Sequence, residues 1–179
     1  MSRVGKKPIQ VPDKTKISYR DKTITVVGEK GSLTREIHPA IDLKIEGGFI
    51  NVSTLSDDRS GRALQGLTRS LVNNMITGVN NGFERILEIN GIGYRAELKG
   101  KSIVFNLGFS HPVVFDLPDG ISAAVEKNTV VKLSGIDKEK LGLAAASIRR
   151  LKPPEPYKGK GIKYSDERIQ KKAGKTGTK

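Results

Sequence analysis

An internal repeat limits the folds open to this chain more than any other feature of its sequence. When the chain is shifted against itself by 79 positions, six pairs of identical residues coincide between residues 22–64 and residues 101–143. The pairs are Lys22 and Lys101, Ile24 and Ile103, Pro39 and Pro118, Val52 and Val131, Asp58 and Asp137, and Leu64 and Leu143. The order of local structural signals repeats at the same spacing. A repeat of this length indicates two copies of one structural unit.

The first copy runs from extended segments into one helix. Residues 22–28 alternate between apolar and polar side chains, as a half-buried strand does, and residues 43–54 predict two strands about a Gly47-Gly48 turn. The period then becomes helical over about residues 59–79, with Ala63, Leu64, Leu67, Leu71, Met75, Ile76 and Val79 forming an apolar stripe. Residues 56–58 are candidates for the N-cap of this helix, and residues 80–82 are predicted to end it.

The second copy repeats this order. Two strands turn near Lys127-Asn128, and a helix starts at about Asp137 and ends before Pro153-Pro154. Its inward positions are Leu141, Ala144, Ala145, Ile148 and Leu151. We therefore predict an α+β fold of two tandem, duplicated small domains over residues 1–82 and 83–164. Each consists of antiparallel strands packed with one main helix, and a basic tail follows over 165–179.

The net charge of +13 is concentrated at the chain ends. Residues 149–179 contain 11 Lys and Arg against three acids, a net of +8, and the first seven residues contribute three more cations. Only +2 is left for the 141 residues between them. Blocks of like charge at chain ends are typical of segments that bind a polyanion.

Several patterns typical of catalysis or metal binding are weak. Cysteine is absent and there are two histidines, His38 and His111, which argues against a structural zinc site. Residues 91–96 (GIGYRA) match a loose dinucleotide-loop pattern, but a strand follows them rather than a helix, so a tight turn is the expected structure. Residues 100–102 (GKS) predict a turn into a strand. Asp57-Asp58 precede a helix and are better explained as caps than as an acid–base pair. We expect no enzyme, cofactor or small-molecule substrate.

Residues 153–164, PPEPYKGKGIKY, are the chain's most unusual stretch. The prolines predict an extended path, on which Lys158 and Lys160 would share one side. Gly159 and Gly161 would let the backbone lie close to a ligand, while Tyr157 and Tyr164 supply rings that can stack on unpaired bases or riboses. Such a combination suits the sugar–phosphate backbone of RNA.

Three alternatives to RNA binding follow from the same charge. The last fifteen residues contain one large aliphatic side chain, Ile169, so permanent disorder is possible; we favour ordering against a partner. An anionic membrane is a poorer partner, because bulky apolar anchors and a lipidation motif are missing. A DNA-binding or chromatin-like protein is the leading rival, although no helix clusters residues that would read bases in the major groove.

The stretch PPEPYKGKGIKY, together with MSRVGKKPI, RALQGLTRSLVNNMITGV and EINGIGYRA, resembles the bacterial ribosomal protein L6 family of the large subunit over nearly the whole chain. The resemblance implies a cytoplasmic ribosomal protein that binds 23S rRNA near the stalk base and the sarcin–ricin loop. Neighbouring large-subunit proteins and translation factors would lie nearby. Our predicted RNA-binding residues are Arg149, Lys152, Tyr157, Lys158, Gly159, Lys160, Gly161, Lys163, Tyr164, Lys171 and Lys172.

Overall fold

The computed structural model describes residues 5–56 and 58–174. The chain divides into two compact units. The first unit comprises the described residues up to Gly82 together with Ile136–Lys138, and the second comprises Phe83–Gly135 and the described residues from Glu139 onward. Both units are α+β, as the repeat predicts, and all their strand pairs are antiparallel.

The first unit places one helix against two small sheets. Its strands are β1 (Ile9–Gln10), β2 (Lys16–Arg20), β3 (Thr23–Gly28), β4 (Gly31–Glu36), β5 (Ile41–Glu46) and β6 (Phe49–Thr54), and its helix is α1 (Arg59–Asn80). The sheets have the orders β2-β3-β4 and β1-β6-β5. Helix α1 packs against strands of both sheets, and the fully buried Ile24, Ile41, Ile50 and Val72 lie in the core between them.

The predicted boundaries of α1 are confirmed by its caps. The carboxylate of Asp58 accepts a hydrogen bond from the Gly61 backbone N–H at 2.7 Å and further bonds from the Ser56 and Ser60 hydroxyls, both at 2.6 Å. These three donors hold the pKa of Asp58 at about 2, below its ordinary 3.8. At the other end the Asn81 backbone N–H donates to the carbonyls of Thr77 and Gly78. Asp57 lies outside the described residues.

The predicted apolar stripe of α1 is wrong at Ala63 and Leu67, which are exposed. The first half of the helix instead buries Gly61, Gln65, Thr68 and Val72. The buried Gln65 amide donates to the Val52 carbonyl of β6 at 2.7 Å. These four buried residues lie at helical spacing from Met75, Ile76 and Val79, which are buried as predicted. One continuous face of α1 therefore meets the sheets, and Ala63 and Leu67 lie off it.

The second unit repeats this arrangement with one additional strand. Its elements are β7 (Phe83–Asn90), β8 (Arg95–Lys99), β9 (Ser102–Asn106), β10 (Val113–Asp116), β11 (Ile121–Glu126), β12 (Val130–Gly135), α2 (Lys138–Leu151) and β13 (Gly161–Tyr164). The orders β8-β9-β10 and β11-β12-β7 reproduce β2-β3-β4 and β5-β6-β1 of the first unit. Strand β13 then pairs with the other edge of β7.

The core of the second unit follows the predicted face of α2. Leu141, Ala144, Ala145 and Ile148 are buried, and Leu151 is partly buried against the same cluster. Ile103 is fully buried like its repeat partner Ile24. In both units a hairpin turn occurs where it was predicted: Gly47 and Gly48 have φ values of 58° and 78°, and Lys127 and Asn128 have 52° and 57°. These left-handed conformations match the tight turn that joins two antiparallel strands.

Among the described residues, neither helix has the length and apolar character needed to cross a bilayer.

Candidate nucleic-acid interface

The segment after α2 forms a closed loop rather than the extended path predicted from its prolines. The Glu155 backbone N–H donates to the Lys160 carbonyl at 2.9 Å, and the Gly159 N–H donates back to the Glu155 carbonyl at 3.1 Å. The Glu155 carboxylate also accepts a hydrogen bond from the Lys158 N–H at 3.1 Å. These three bonds close residues 155–160 on themselves. The predicted extended segment with Lys158 and Lys160 on one side is therefore wrong. We call residues 155–160 the basic loop.

The two glycines of the motif serve the protein's own backbone. Gly159 has a φ of 72° and Gly161 a φ of 135°, both of which disfavour a side chain. At Gly161, which is buried, an added Cβ would lie 2.6 Å from the Pro153 carbonyl oxygen. This glycine is thus required where the returning chain passes the end of α2. Gly161 was predicted to let the backbone lie close to RNA. That reason is wrong, because Gly161 is buried and little of it is accessible to a ligand.

Strand β13, which the sequence analysis missed, anchors the motif in the core. Ile162 is fully buried opposite Ile89 of β7, and its N–H donates to the Lys152 carbonyl at 2.7 Å. The sequence signal for this strand was the short alternation of apolar and polar residues in GIKY, in which Ile162 faces the core. A segment of this length becomes a strand only because β7 offers it an unpaired edge.

A second basic segment returns to the basic loop. Residues 168–174 contain neither helix nor strand, but the Lys172 N–H donates to the Pro156 carbonyl at 2.8 Å. The Lys171 side chain passes close to Gly159, with its Cε 3.9 Å from the position of a Cβ there. Lys158, Lys171 and Lys172 are exposed, and Lys160 is half-buried. We call these four residues the lysine cluster, since the fold brings them together from two segments.

The other predicted cations have partners inside the protein. Lys163 forms an ion pair with Glu88 at 2.9 Å, directly opposite it across β13 and β7. The Lys152 ammonium lies 4.4 Å from the centre of the Phe109 ring, a cation–π contact. Contacts of these two lysines with RNA stay predictions, but neither is as free as the lysine cluster.

The two tyrosines that bracket the motif differ. Tyr157 is 56% exposed and its ring is accessible for stacking. Tyr164 is half-buried, and its ring centre lies 5.8 Å from the Arg85 guanidinium and 5.9 Å from that of Arg149. The stacking role predicted for Tyr164 therefore competes with two cation–π contacts that it already makes.

Arg149 also has an internal partner that the sequence analysis did not identify. Its Nε donates to Glu167 Oε2 at 2.8 Å and its second guanidinium nitrogen donates to Oε1. This forked pair, chiefly through its hydrogen bonds, lowers the pKa of Glu167 below its ordinary 4.5 and raises that of Arg149. An RNA contact by Arg149 stays a prediction. The sequence signal for the pair was the acidic dipeptide Asp166-Glu167 in a region that is otherwise rich in cations.

The weak catalytic motifs have structural roles. Residues 91–94 form the turn between β7 and β8, and residues 100–101 turn from β8 into β9. His38 and His111 are both exposed, and His38 Nδ1 accepts a hydrogen bond from the Ala40 N–H at 3.1 Å. In the part of the chain that the structure describes, no group of three His, Asp or Glu side chains is arranged to hold a metal ion.

Comparison with known proteins gives the family. The family model described as ribosomal protein L6 matches residues 11–82 and 90–165, one match in each copy of the repeat. The large ribosomal subunit protein uL6 of Desulfosudis oleivorans is 62% identical over 98% of this chain and 99% of its own length. Those of Desulforapulum autotrophicum and Geobacter metallireducens are 62% and 55% identical, with complete coverage of both chains in each case. This chain therefore belongs to the ribosomal protein L6 family.

Proposed function

We propose that this protein is a non-enzymatic structural component of the large ribosomal subunit that binds 23S rRNA near the stalk base and the sarcin–ricin loop. Membership of the L6 family supports the ribosomal part of the proposal. Its place of action is then the ribosome, in the bacterial cytoplasm. Neighbouring large-subunit proteins would be its protein partners, and translation factors would dock nearby.

The observation that carries the RNA-binding part is the lysine cluster. Two segments that are separate in sequence meet at the basic loop, and three of the four ammonium-bearing side chains are exposed. The exposed Tyr157 ring belongs to the same loop. Clustered cations neutralise phosphates and release counterions, which supplies affinity without reading base sequence. The protein would therefore recognise the shape of folded RNA rather than its sequence.

Charge removal tests this surface directly. Alanine at all four positions of the lysine cluster should weaken binding to a 23S rRNA fragment. The slope of log affinity against log salt should fall by roughly 0.7–0.9 for each phosphate that the variant no longer neutralises. A control for charge removal elsewhere carries alanine at Lys16 and Lys44, two exposed lysines on β2 and β5 of the first unit, and its effect is compared per charge removed. If both variants bind with the same reduced affinity, the cluster is not the RNA-binding surface.

Two further measurements separate the alternatives. Equal affinity for duplex DNA of the same length would favour a general DNA-binding protein. Hydroxyl-radical protection of 23S rRNA in assembled subunits should include the stalk base and the sarcin–ricin loop, and protection confined to other regions would overturn that location. A truncation after Leu151 is a poor substitute, because it deletes β13 and the core residue Ile162 together with the cations.

A further inference from the structure

Glu167 is an acid that the protein holds firmly within its most basic region. Its carboxylate accepts both forked hydrogen bonds from Arg149 and a third bond, at 3.2 Å, from the Tyr164 backbone N–H. The side chains of Arg149 and Glu167 are 30% and 24% exposed, so the pair is shielded from most of the solvent. Forked arginine–carboxylate pairs combine two charge-assisted bonds with a fixed orientation.

Contacts around this pair fix the point at which the chain leaves β13. The Ser165 N–H donates to the Ile86 carbonyl, and the Glu167 N–H donates to the Tyr164 carbonyl, both at 3.1 Å. The guanidinium of Arg149 also lies near the Tyr164 ring. We call Arg149, Tyr164 and Glu167 the latch. It ties the last turn of α2 to the residue from which the basic segment departs.

The segment beyond the latch has little else to order it. Residues 168–174 lack helix and strand, and Lys171 and Lys172 are brought beside the cations of the basic loop, where like charges repel. Fixing each residue of such a segment costs backbone entropy. The Lys172 bond to Pro156 and the half-buried Ile169 are the described contacts that oppose this cost, so without the latch the segment would be expected to separate from the loop.

We propose that Glu167 is a positioning residue: through Arg149 it holds residues 168–174 against the basic loop, so that the lysine cluster is preorganised before RNA arrives. The inference rests on the proposed RNA-binding function, and it assigns an acid a favourable part in binding a polyanion. Preorganisation raises affinity because the cost of ordering the segment is met during folding rather than during binding.

The sign of the change in RNA affinity distinguishes this positioning role from that of a simple negative charge near the RNA. If Glu167 were only a negative charge near the RNA, Glu167→Ala would strengthen binding. The latch predicts the opposite, a fall in affinity of at least about tenfold, because the cost of ordering even one residue of the segment during binding is of that size. Arg149→Lys, which keeps the charge but not the fork, should weaken binding in the same direction.

The matched control is Glu155→Gln, which removes a negative charge from the basic loop itself. The glutamine side-chain oxygen can still accept the hydrogen bond that Glu155 receives from the Lys158 N–H. This variant should bind RNA as tightly as the wild type or more tightly. Weakening by both substitutions to the same extent would remove the special role of Glu167.

A second measurement is made without RNA. Backbone ¹⁵N relaxation of the full-length protein should show residues 168–174 ordered in the wild type and in Glu155→Gln, but mobile in Glu167→Ala, while the amides of α2 and β7 are unchanged. Unchanged order in Glu167→Ala, or a mobile segment with unreduced affinity, would overturn the inference. A wild type that is ordered but fails to bind rRNA would instead refute the proposed function, so the two failures are distinguishable.

Discussion

Truncation of Ile162 to alanine should destabilise the second unit, although the residue belongs to a motif that composition and charge associate with RNA. Ile162 is fully buried in the same cluster as Leu87, Ile89 and Leu133. The substitution removes three carbon atoms, worth about 0.8 kcal/mol each in transfer free energy. A cavity cost is added because the surrounding side chains relax only partly. We expect the free energy of unfolding to fall by about 2.5–4 kcal/mol.

Urea unfolding of the full-length protein, followed by far-UV circular dichroism, measures this decrease. Hydrogen exchange assigns it to a unit: amides of β7 and β12 should lose protection, while those of Ile24 and Val26 in the first unit should keep theirs. The control is Ile92→Ala, on a turn residue that is 94% exposed, which should change stability by less than about 0.5 kcal/mol. A decrease below about 1 kcal/mol for Ile162→Ala would refute the claim that β13 completes the core.

The remaining predictions concern two glycines and the latch. Gly142→Ala should stabilise α2 by about 0.5–1 kcal/mol in urea unfolding, because the position is helical and a Cβ there meets no atom within 4 Å. Gly161→Ala should instead destabilise by more than about 1 kcal/mol, since its φ of 135° is strained for alanine and the new Cβ would clash with the Pro153 carbonyl; a neutral result would contradict that geometry. The pKa of Glu167 is lowered in the folded protein, so the stabilisation that it provides should be complete above its ordinary 4.5 and lost as the pH falls through the lowered value. Exchange of the Lys172 amide during an acid titration checks this, and protection that persists until the whole protein unfolds would refute it.

Local sequence signals were sufficient where a few neighbouring residues decide the structure. The hairpins at Gly47-Gly48 and Lys127-Asn128, the Asp58 cap and the inward face of α2 were all predicted, because each depends on backbone preference or on a hydrogen bond within a few residues. The basic loop was not predicted. Its prolines favour extension, but hydrogen bonds between residues 155 and 160 outweigh that preference.

The candidate site shows the same limit of local sequence signals, because they do not tell which of its cations are paired. Composition located the positive charge at the carboxyl end, but it treated every lysine and arginine there as equivalent. The fold pairs Lys163 with Glu88 and Arg149 with Glu167, and it leaves Lys158, Lys171 and Lys172 exposed. Pairing depends on which strand lies beside which, and charge counts contain no such information.

The sequence by itself determined the duplication, the change from strands to one helix within each copy, and the end of the chain that carries the charge, since these follow from periodicity and composition. Only the tertiary structure decided that β13 closes the edge of β7, that Gln65 of α1 binds the Val52 carbonyl of β6, and that the segment after Glu167 returns to the basic loop. The physical reason is that each of these depends on a partner distant along the chain. A sheet edge, a buried carbonyl and a carboxylate acquire their partners only when the chain has folded.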